Sequence, residues 1–112
     1  MKHNVILLGI QGSGKGTQAK KLVEEFGMLH LSTGDVFHKI TESPADSFEL
    51  EINKSLSNGI LVNDEITNTV VSNFIEKSDE HSGIIFDGYP RSEAQAVWLE
   101  KYFNGRSEKL TL

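Results

Sequence analysis

The stretch Gly9-Ile10-Gln11-Gly12-Ser13-Gly14-Lys15-Gly16-Thr17 decides the fold, because it places a glycine-rich turn between a buried strand and an amphipathic helix. The apolar run at residues 5–8 is typical of a parallel strand that is buried on both faces. Beyond the turn, apolar side chains recur at i, i+3, i+4 and i+7, and Gly27 is suited to end the helix in a left-handed conformation. These apolar residues are Ala19, Leu22, Val23 and Phe26.

A glycine-rich turn in this position predicts a binding site for phosphate groups. Glycines allow successive backbone N–H groups to point at phosphate oxygens, and the helix N-terminus adds about half a positive charge. Lys15 would contact the β and γ phosphates of a nucleotide, and the Thr17 hydroxyl could hold magnesium. The usual pattern G-x-x-x-x-G-K-[ST] is not met, since Gly16 follows the lysine. The alternative is a turn that binds no ligand, with Lys15 at a solvated helix end.

The rest of the chain alternates between apolar runs and helical patterns. A short strand at residues 28–31 leads into Ser32, which opens a helix through an S-x-x-D capping pattern. Residues 43–46 form a break, and the next helix stops at residues 58–59. Asn63 can cap a further helix.

A second fully apolar strand at residues 83–86 precedes a helix that runs from Ser92 to about Tyr102, and another strand begins at Lys109. Alternating strands and helices predict an α/β fold with a parallel sheet and right-handed crossovers. Trp98 and Tyr102, spaced i, i+4, are interpreted as packing residues.

Composition limits the classes of function. The 112 residues suit one domain, with 38% hydrophobic and 24% charged residues. The net charge of −5 argues against a nucleic-acid or anionic-membrane surface, and the lack of cysteine excludes disulfides and thiolate metal sites. The four histidines show no metal-ligand spacing. Residues 1–10 are too short an apolar segment for a signal sequence or a membrane span, so a cytoplasmic protein is expected.

Three further segments combine with the glycine-rich turn in a recognisable order. They read LSTGD at residues 31–35, NGILVNDE at residues 58–65, and FDGYPR at residues 86–91 with Gln95 four residues later. With G-K-G-T-Q in the turn, these segments cover the chain nearly end to end and resemble the nucleoside monophosphate kinases, adenylate kinases in particular. The resemblance implies a P-loop kinase core (residues 1–31 and 80–112) with an inserted helical segment for the monophosphate nucleotide (residues 32–79).

The resemblance also implies the reaction Mg-ATP + AMP ⇌ 2 ADP and a set of site residues. ATP would be bound by Gly12, Ser13, Gly14, Lys15, Gly16 and Thr17, and AMP by Thr33, His38, Val62, Gly88, Arg91 and Gln95. Lys15 and Arg91 would be the catalytic residues. Mg²⁺ would be held by Thr17 and Asp87, partly through water. Because many uridylate and cytidylate kinases carry alanine at the position of Thr33, threonine favours AMP.

Several of these roles have structural alternatives. Gln95 lies three residues after Ser92, so a capping box would explain it without a ligand, and Arg91 could form a surface ion pair. Asp35 is interpreted as structural rather than catalytic. For the whole chain, the alternatives are a UMP/CMP-type kinase, a noncatalytic nucleotide-binding fragment, or a packing module that binds no nucleotide.

The sequence departs from the adenylate kinase pattern in three ways. His38 stands where an arginine usually grips the AMP phosphate, which could cost about 1.5 to 3 kcal/mol in phosphate binding. Gln11 replaces a proline of the turn, with a minor effect expected. The family's lid, its arginines that clamp the transferred group, the last core strand and the C-terminal helix have no counterpart in residues 1–112.

The missing parts shape the expected behaviour of the 112-residue chain. We expect it to bind nucleotide but to be impaired in catalysis, since phosphoryl transfer relies on positioned positive charge. The complete enzyme is expected to be a monomer. The strand that starts at Lys109 would be an exposed edge through which the fragment could self-associate.

Overall fold

The computed structural model describes residues 2–7, 14–59, 63–78 and 81–111. Its elements follow the order predicted from the sequence: β1 (His3–Leu7), α1 (Lys15–Phe26), β2 (Leu29–Ser32), α2 (Thr33–Glu42), α3 (Ser47–Ser57), α4 (Asp64–Lys77), β3 (Ile84–Asp87), α5 (Glu93–Gly105) and β4 (Lys109–Thr111). Within the described residues, none of these helices is both long and apolar enough to cross a membrane.

The four strands form one parallel sheet in the order β2-β3-β1-β4. The predicted α/β class and parallel sheet are therefore confirmed. Asp87, the last residue of β3, is level with Leu7 of β1 and with Ser32 of β2. Carboxyl ends of parallel strands are where open α/β sheets bind ligands, so this edge of the sheet is the place to look for a site.

Apolar side chains cover both faces of the sheet. Helices α4 and α5 pack on one face around a cluster that contains Phe86, Tyr89 and Phe103. Helix α1 covers the other face, where Ala19 packs against Ile85. Successive residues of β3 thus alternate between the two cores, as a strand buried on both sides requires.

A buried asparagine joins three strands. The Asn4 side chain is fully buried, and its amide nitrogen donates to Glu108 Oε1 (3.1 Å) and to the Lys109 carbonyl (3.0 Å). Its amide oxygen accepts from the Ile84 N–H at 2.9 Å. Close by, Gly83 has a φ of 156°, and a Cβ there would lie 1.6 Å from the His3 carbonyl oxygen. Only glycine allows this approach of the two strands.

Side-chain caps open four of the described helices. Ser32, Asp46, Asn63 and Ser92 each accept a hydrogen bond from the backbone N–H three residues later, at the starts of α2, α3, α4 and α5. The predicted caps at Ser32, Asn63 and Ser92 are confirmed, and Gly27 ends α1 at a φ of 67° as expected.

The structure differs from the sequence expectations at some boundaries and at one helix face. Strand β1 begins at His3, and α5 continues to Gly105. In α1, the predicted buried stripe is only partly buried, since Val23 is 37% exposed and Phe26 is 62% exposed. The periodic pattern identified the helix correctly, but periodicity alone does not determine what packs on each side chain. Leu8 and Leu112, predicted as strand residues, lie outside the described residues.

Candidate functional site

A cavity of about 300 Å³ opens beside the end of β3, between the starts of α2, α4 and α5. Four of the residues predicted to bind AMP line it: Thr33, Gly88, Arg91 and Gln95. The rest of its lining was not singled out as site residues from the sequence and consists of Gly34, Phe37, Asn63, Asp64, Thr67 and Tyr89. Residues from three separate sequence segments thus meet at one cavity.

The carbonyl oxygen of Gly88 organises the first wall of this cavity. It accepts hydrogen bonds from Thr33 Oγ1 (3.3 Å) and Arg91 Nε (2.8 Å). Gly88 has a φ of 79°, and a Cβ at this position would lie 3.3 Å from the Arg91 guanidinium. The positive φ favours glycine here, and any larger residue would also have to displace the Arg91 guanidinium slightly. Arg91 is exposed, and its Nε contact leaves four guanidinium N–H groups for other partners or water.

Gln95 is 8% exposed and takes part in a hydrogen-bond network at the second wall. Its backbone N–H donates to Ser92 Oγ (3.1 Å), its Oε1 accepts from the Arg91 N–H (2.7 Å), and its Nε2 donates to Asp64 Oδ1 (2.9 Å). The cap at Ser92 is present, but the Gln95 side chain returns to the Arg91 N–H instead of the cap's own. These contacts support the structural interpretation of Gln95, and its predicted contact with adenine stays a prediction.

The buried ring of Tyr89 forms the floor beside this network. Tyr89 is 2% exposed, and its hydroxyl donates to Asn68 Oδ1 at 2.5 Å. Burial, and then the nearby Asp64 carboxylate, raise the pKa of the Tyr89 hydroxyl above its usual value. The hydroxyl is therefore a neutral donor throughout the physiological pH range.

Two predicted AMP contacts are not part of the cavity wall as described. His38 is 70% exposed, and its Nε2 lies 3.3 Å from Glu42 Oε2, one helical turn away. Its neighbour Lys39 forms an ion pair with Glu49 at 3.1 Å. Val62 lies outside the described residues. The roles of His38 and Val62 toward AMP stay predictions.

A second group of charged side chains lies at the carboxyl end of β3. Lys15 Nζ contacts Asp87 Oδ1, and His30 Nε2 lies 3.1 Å from Asp87 Oδ2. Burial by itself raises the pKa of Asp87, but the hydrogen bonds from Lys15 and His30 outweigh it, so the pKa lies below its usual value. Lys15 and Asp87 were predicted at the site, whereas His30 was not. The pairing of β2 with β3 would have revealed it, because His30 lies on β2 two residues before Ser32, the partner of Asp87.

The N-terminus of α1 differs from those of the other described helices. Gly14 precedes it with a φ of 89°, and within the described part of the chain no side chain caps it and no acidic residue lies in its first turn. Gly16 and Thr17 are exposed there. Gly12 and Ser13, also predicted to bind ATP, lie outside the described residues. The described turn therefore has backbone donors and a dipole suited to an anion.

The chemistry of Thr17 and Asp87 suits Mg²⁺. A hydroxyl and a carboxylate provide hard oxygen ligands, and Mg²⁺ in nucleotide sites keeps several waters and takes further oxygens from substrate phosphates. Among the described residues there is no group of three or more His, Cys, Asp or Glu side chains that could hold a metal by themselves. These residues therefore fit a magnesium ion that arrives with a phosphate, and they do not form a complete protein-only metal site.

Two comparisons with known proteins, one with family models and one with individual proteins, point to the same family. The model of the family described as "Adenylate kinase" matches residues 7–112. The adenylate kinase of Leuconostoc mesenteroides is 45% identical over 100% of this chain and 60% of its own length. Those of Thermotoga neapolitana and Caldanaerobacter subterraneus are 39% and 42% identical, over 99% and 96% of this chain and 50% and 48% of their own lengths. The chain thus spans about half of these relatives' length, and it belongs to the adenylate kinase family.

Proposed function

We propose that this chain carries the AMP site and the ATP phosphate site of an adenylate kinase, which catalyses Mg-ATP + AMP ⇌ 2 ADP. The observation that carries the proposal is the cavity beside β3, where Thr33, Gly88, Arg91 and Gln95 meet from separate segments. Lys15 and Asp87 lie at the same carboxyl edge of the sheet, because Asp87 directly precedes Gly88. Two nucleotide sites on one sheet edge are what transfer between two nucleotides requires.

The cavity offers AMP both a polar and an apolar environment. Arg91 would present its planar guanidinium to the AMP phosphate. Carboxylates and phosphates bind a guanidinium in a bidentate way. Thr33 and the buried Gln95 would lie against the base, with Phe37 supplying an aromatic surface. Threonine at position 33 supports AMP over UMP or CMP, since the resemblance associates alanine there with the pyrimidine kinases.

The ATP phosphates would bind at the start of α1. Backbone N–H groups of residues 12–17 would surround the phosphates. Lys15 would move from Asp87 to the phosphate oxygens, because the Asp87 carboxylate and the phosphate are anions that compete for the same ammonium group. Mg²⁺, when bound by Thr17, Asp87 and the phosphates, supplies charge neutralisation to the transferred group. Asp87 would retain the His30 contact when Lys15 leaves it.

The 112-residue chain is proposed to bind nucleotide better than it turns nucleotide over. The sequence contains two arginines, Arg91 and Arg106. Arg106 lies at the other end of α5 from the cavity, paired with Glu76 (3.1 Å) and Glu108 (2.8 Å). Arg91 is therefore the one arginine at the cavity, and together with Lys15 it would supply positive charge to the transferred phosphoryl group. Arginines in such positions contribute about 10³- to 10⁵-fold in rate.

The test is calorimetric titration of the 112-residue chain with MgATP, AMP, UMP and CMP, together with a coupled assay of ADP formation. We expect binding of MgATP and AMP, weaker binding of UMP and CMP, and turnover at least about a hundredfold below that of a complete relative. Preferred binding of UMP or CMP would assign the chain to the pyrimidine branch. Turnover close to that of a complete kinase would contradict impaired catalysis, and no nucleotide binding would leave an α/β packing module.

His38 offers a further test of the AMP site. Because its imidazole points along α2 to Glu42, we expect His38→Arg to tighten AMP binding by less than about threefold, since the introduced guanidinium would also pair with Glu42. Titration of the His38→Arg and His38→Ala variants with AMP measures this. A tenfold or greater gain with arginine would show that position 38 reaches the AMP phosphate.

The remaining expectations concern location and assembly. A cytoplasmic location and a monomeric complete enzyme stay predictions. Self-association of the 112-residue chain through β4 is supported by the place of β4 at the edge of the sheet, next to a groove of about 530 Å³ lined in part by Ile6, Phe103 and Leu110. Sedimentation velocity across a range of concentrations would detect it.

A further inference from the structure

Asp64 connects two helix N-termini at the cavity wall. It is the first residue of α4, and its Oδ1 accepts from Ser92 Oγ at 3.1 Å and from Gln95 Nε2 at 2.9 Å. Because the Ser92 hydroxyl donates to Asp64, its lone pairs face the Gln95 backbone N–H, which donates to it at 3.1 Å. Asp64 also lines the cavity itself. One carboxylate oxygen of Asp64 thus accepts hydrogens from both the Ser92 hydroxyl and the Gln95 side-chain amide, and this fixes where each of these donors points.

This network permits one orientation of the Gln95 side-chain amide. Oε1 accepts from the Arg91 N–H at 2.7 Å, while Nε2 donates to Asp64. A rotation by 180° would place the amide oxygen against the carboxylate and the amide N–H groups against the Arg91 N–H. Both contacts would be repulsive. An amide nitrogen has two hydrogens and an amide oxygen two lone pairs, so one donor and one acceptor remain for a ligand, in a fixed order.

We infer that Asp64 is a positioning residue that fixes the Gln95 amide and thereby selects an adenine base over a hypoxanthine base in this cavity. The inference rests on the proposed function, in which the cavity binds AMP. The adenine edge offers a ring acceptor beside an amino donor, which the fixed amide of Gln95 complements. Hypoxanthine offers a ring N–H donor beside a carbonyl acceptor, the reverse order, which the fixed amide opposes.

A purely structural role for Asp64 makes a different prediction. A carboxylate in the first turn of α4 stabilises the helix whatever the ligand, and removal of its bonds to α5 would lower stability. Neither effect distinguishes one purine from another. Glu65 provides a matched control, because it is an exposed acidic residue in the same helical turn and does not line the cavity.

The experiment titrates the 112-residue chain and its Asp64→Ala, Asp64→Asn and Glu65→Ala variants with AMP and with IMP. We expect Asp64→Ala to lower the ratio of AMP to IMP affinity by about tenfold, the worth of one well-placed hydrogen bond. Asp64→Asn should retain most of the selectivity, because its carbonyl oxygen still accepts the Gln95 N–H. Glu65→Ala should leave the ratio unchanged. A partly unfolded variant binds both nucleotides less by the same factor, so the ratio is insensitive to stability.

A measurement without ligand separates this inference from the proposed function. NMR of the Gln95 side-chain amide, assigned by its loss in Gln95→Glu, should show slowed hydrogen exchange in the wild-type chain and in Glu65→Ala, and fast exchange in Asp64→Ala. AMP binding together with an amide and a selectivity ratio that Asp64→Ala does not change would overturn the inference alone. An amide held by Asp64 in a chain that binds no AMP would overturn the proposed function, and the base-selecting role with it.

Discussion

The N-termini of α1 and α5 differ in what meets their first backbone N–H groups. Helix α5 has its own cap, Ser92, and an acidic residue, Glu93, in its first turn. Helix α1 follows Gly14 and, within the described residues, has neither a side-chain cap nor an acidic residue in its first turn. Helices α2, α3 and α4 follow the pattern of α5. Of the five described helices, α1 is therefore the one whose first turn has neither a side-chain cap nor an acidic residue among the described residues, which is the arrangement that suits a bound anion.

The charge near α1 comes from another part of the fold. Lys15 is the first residue of the helix, and its counter-ion is Asp87 at the end of β3. In α5, by contrast, Glu93 is in the helix itself. A phosphate can replace a counter-ion on a separate element as the partner of Lys15 without disturbing the helix, whereas a first-turn carboxylate would repel the phosphate directly. The following experiments test this difference.

The largest effect should come from giving α1 the first-turn carboxylate that α5 has. Gly16 has no positive φ, and no neighbouring atom of the described residues lies within 4 Å of the place that a Cβ would occupy, so Gly16→Asp should fold. We expect MgATP binding to weaken about a hundredfold, because two unit charges about 5 Å apart repel by about 3 kcal/mol at an effective dielectric of 20. The free energy of unfolding should stay equal or rise, since glycine is unfavourable in helices.

Gly16→Ala separates charge from side-chain volume in this test. Titration with MgATP and urea unfolding would be measured for both variants. If alanine and aspartate weakened ATP binding equally, the charge in the first turn would not be what distinguishes α1 from α5.

Removal of the cation at the start of α1 should have the next largest effect. Lys15→Ala should weaken MgATP binding by about 10- to 100-fold, the usual worth of a hydrogen bond to a charged group. Lys20→Ala, an exposed lysine further along the same helix, is the matched control and should change affinity little. Calorimetric titration measures both, and equal affinities for Lys15→Ala and wild type would remove Lys15 from the ATP site.

Removal of the cap at α5 should change stability instead of ATP affinity. Ser92→Ala should lower the free energy of unfolding by about 1 kcal/mol, the usual cost of losing a serine cap. Trp98 lies in α5 and is the single tryptophan, so its fluorescence in urea reports the unfolding of this region. Ser47→Ala, at the exposed first position of α3, should cost less. A similar loss in both variants would show that the cap at Ser92 has no particular weight.

The smallest effect concerns the counter-ion of α1 and depends on pH. The pKa of Asp87 is below the usual 3.8, so its pairing with Lys15 and His30 stabilises the folded state above that pH and is lost as the pH falls through the lowered pKa. Near neutral pH, the free energy of unfolding of the wild type should exceed that of Asp87→Asn by up to about 1 kcal/mol. Well below pH 3.8, the two free energies should become equal. Urea unfolding of both proteins across pH would contradict the pairing if the difference did not shrink in acid.

Local features of the fold were predictable from the sequence because they depend on neighbours along the chain. Ser32, Asn63 and Ser92 act as caps, and Gly27 ends α1, each through contacts within a few residues. The order of strands and helices follows from the same periodic patterns. For these features, burial in the folded core only reinforced what the local sequence already favoured.

The site was predictable only in part, because its remaining contacts join residues far apart in the chain. Thr33, Arg91 and Gln95 were identified through resemblance. Asp64 and His30 were not, since their partners lie 28 to 57 residues away and depend on how α4 meets α5 and β2 meets β3. Exposure of Phe26 was missed for a similar reason, since helical periodicity does not indicate what covers a side chain.

The buried Asn4 side chain has a consequence for how the sheet comes apart. Its amide joins β1 to the Ile84 N–H on one side and to Glu108 and the Lys109 carbonyl on the other. Detachment of β4 would leave the amide hydrogens of Asn4 without these acceptors inside the protein, at a cost of about 1 to 3 kcal/mol. Fraying of this short edge strand is therefore coupled to the central strands. Hydrogen exchange at the Lys109 N–H, which donates to the Lys2 carbonyl at 3.2 Å, should consequently approach the rate set by global unfolding, although β4 has only three residues.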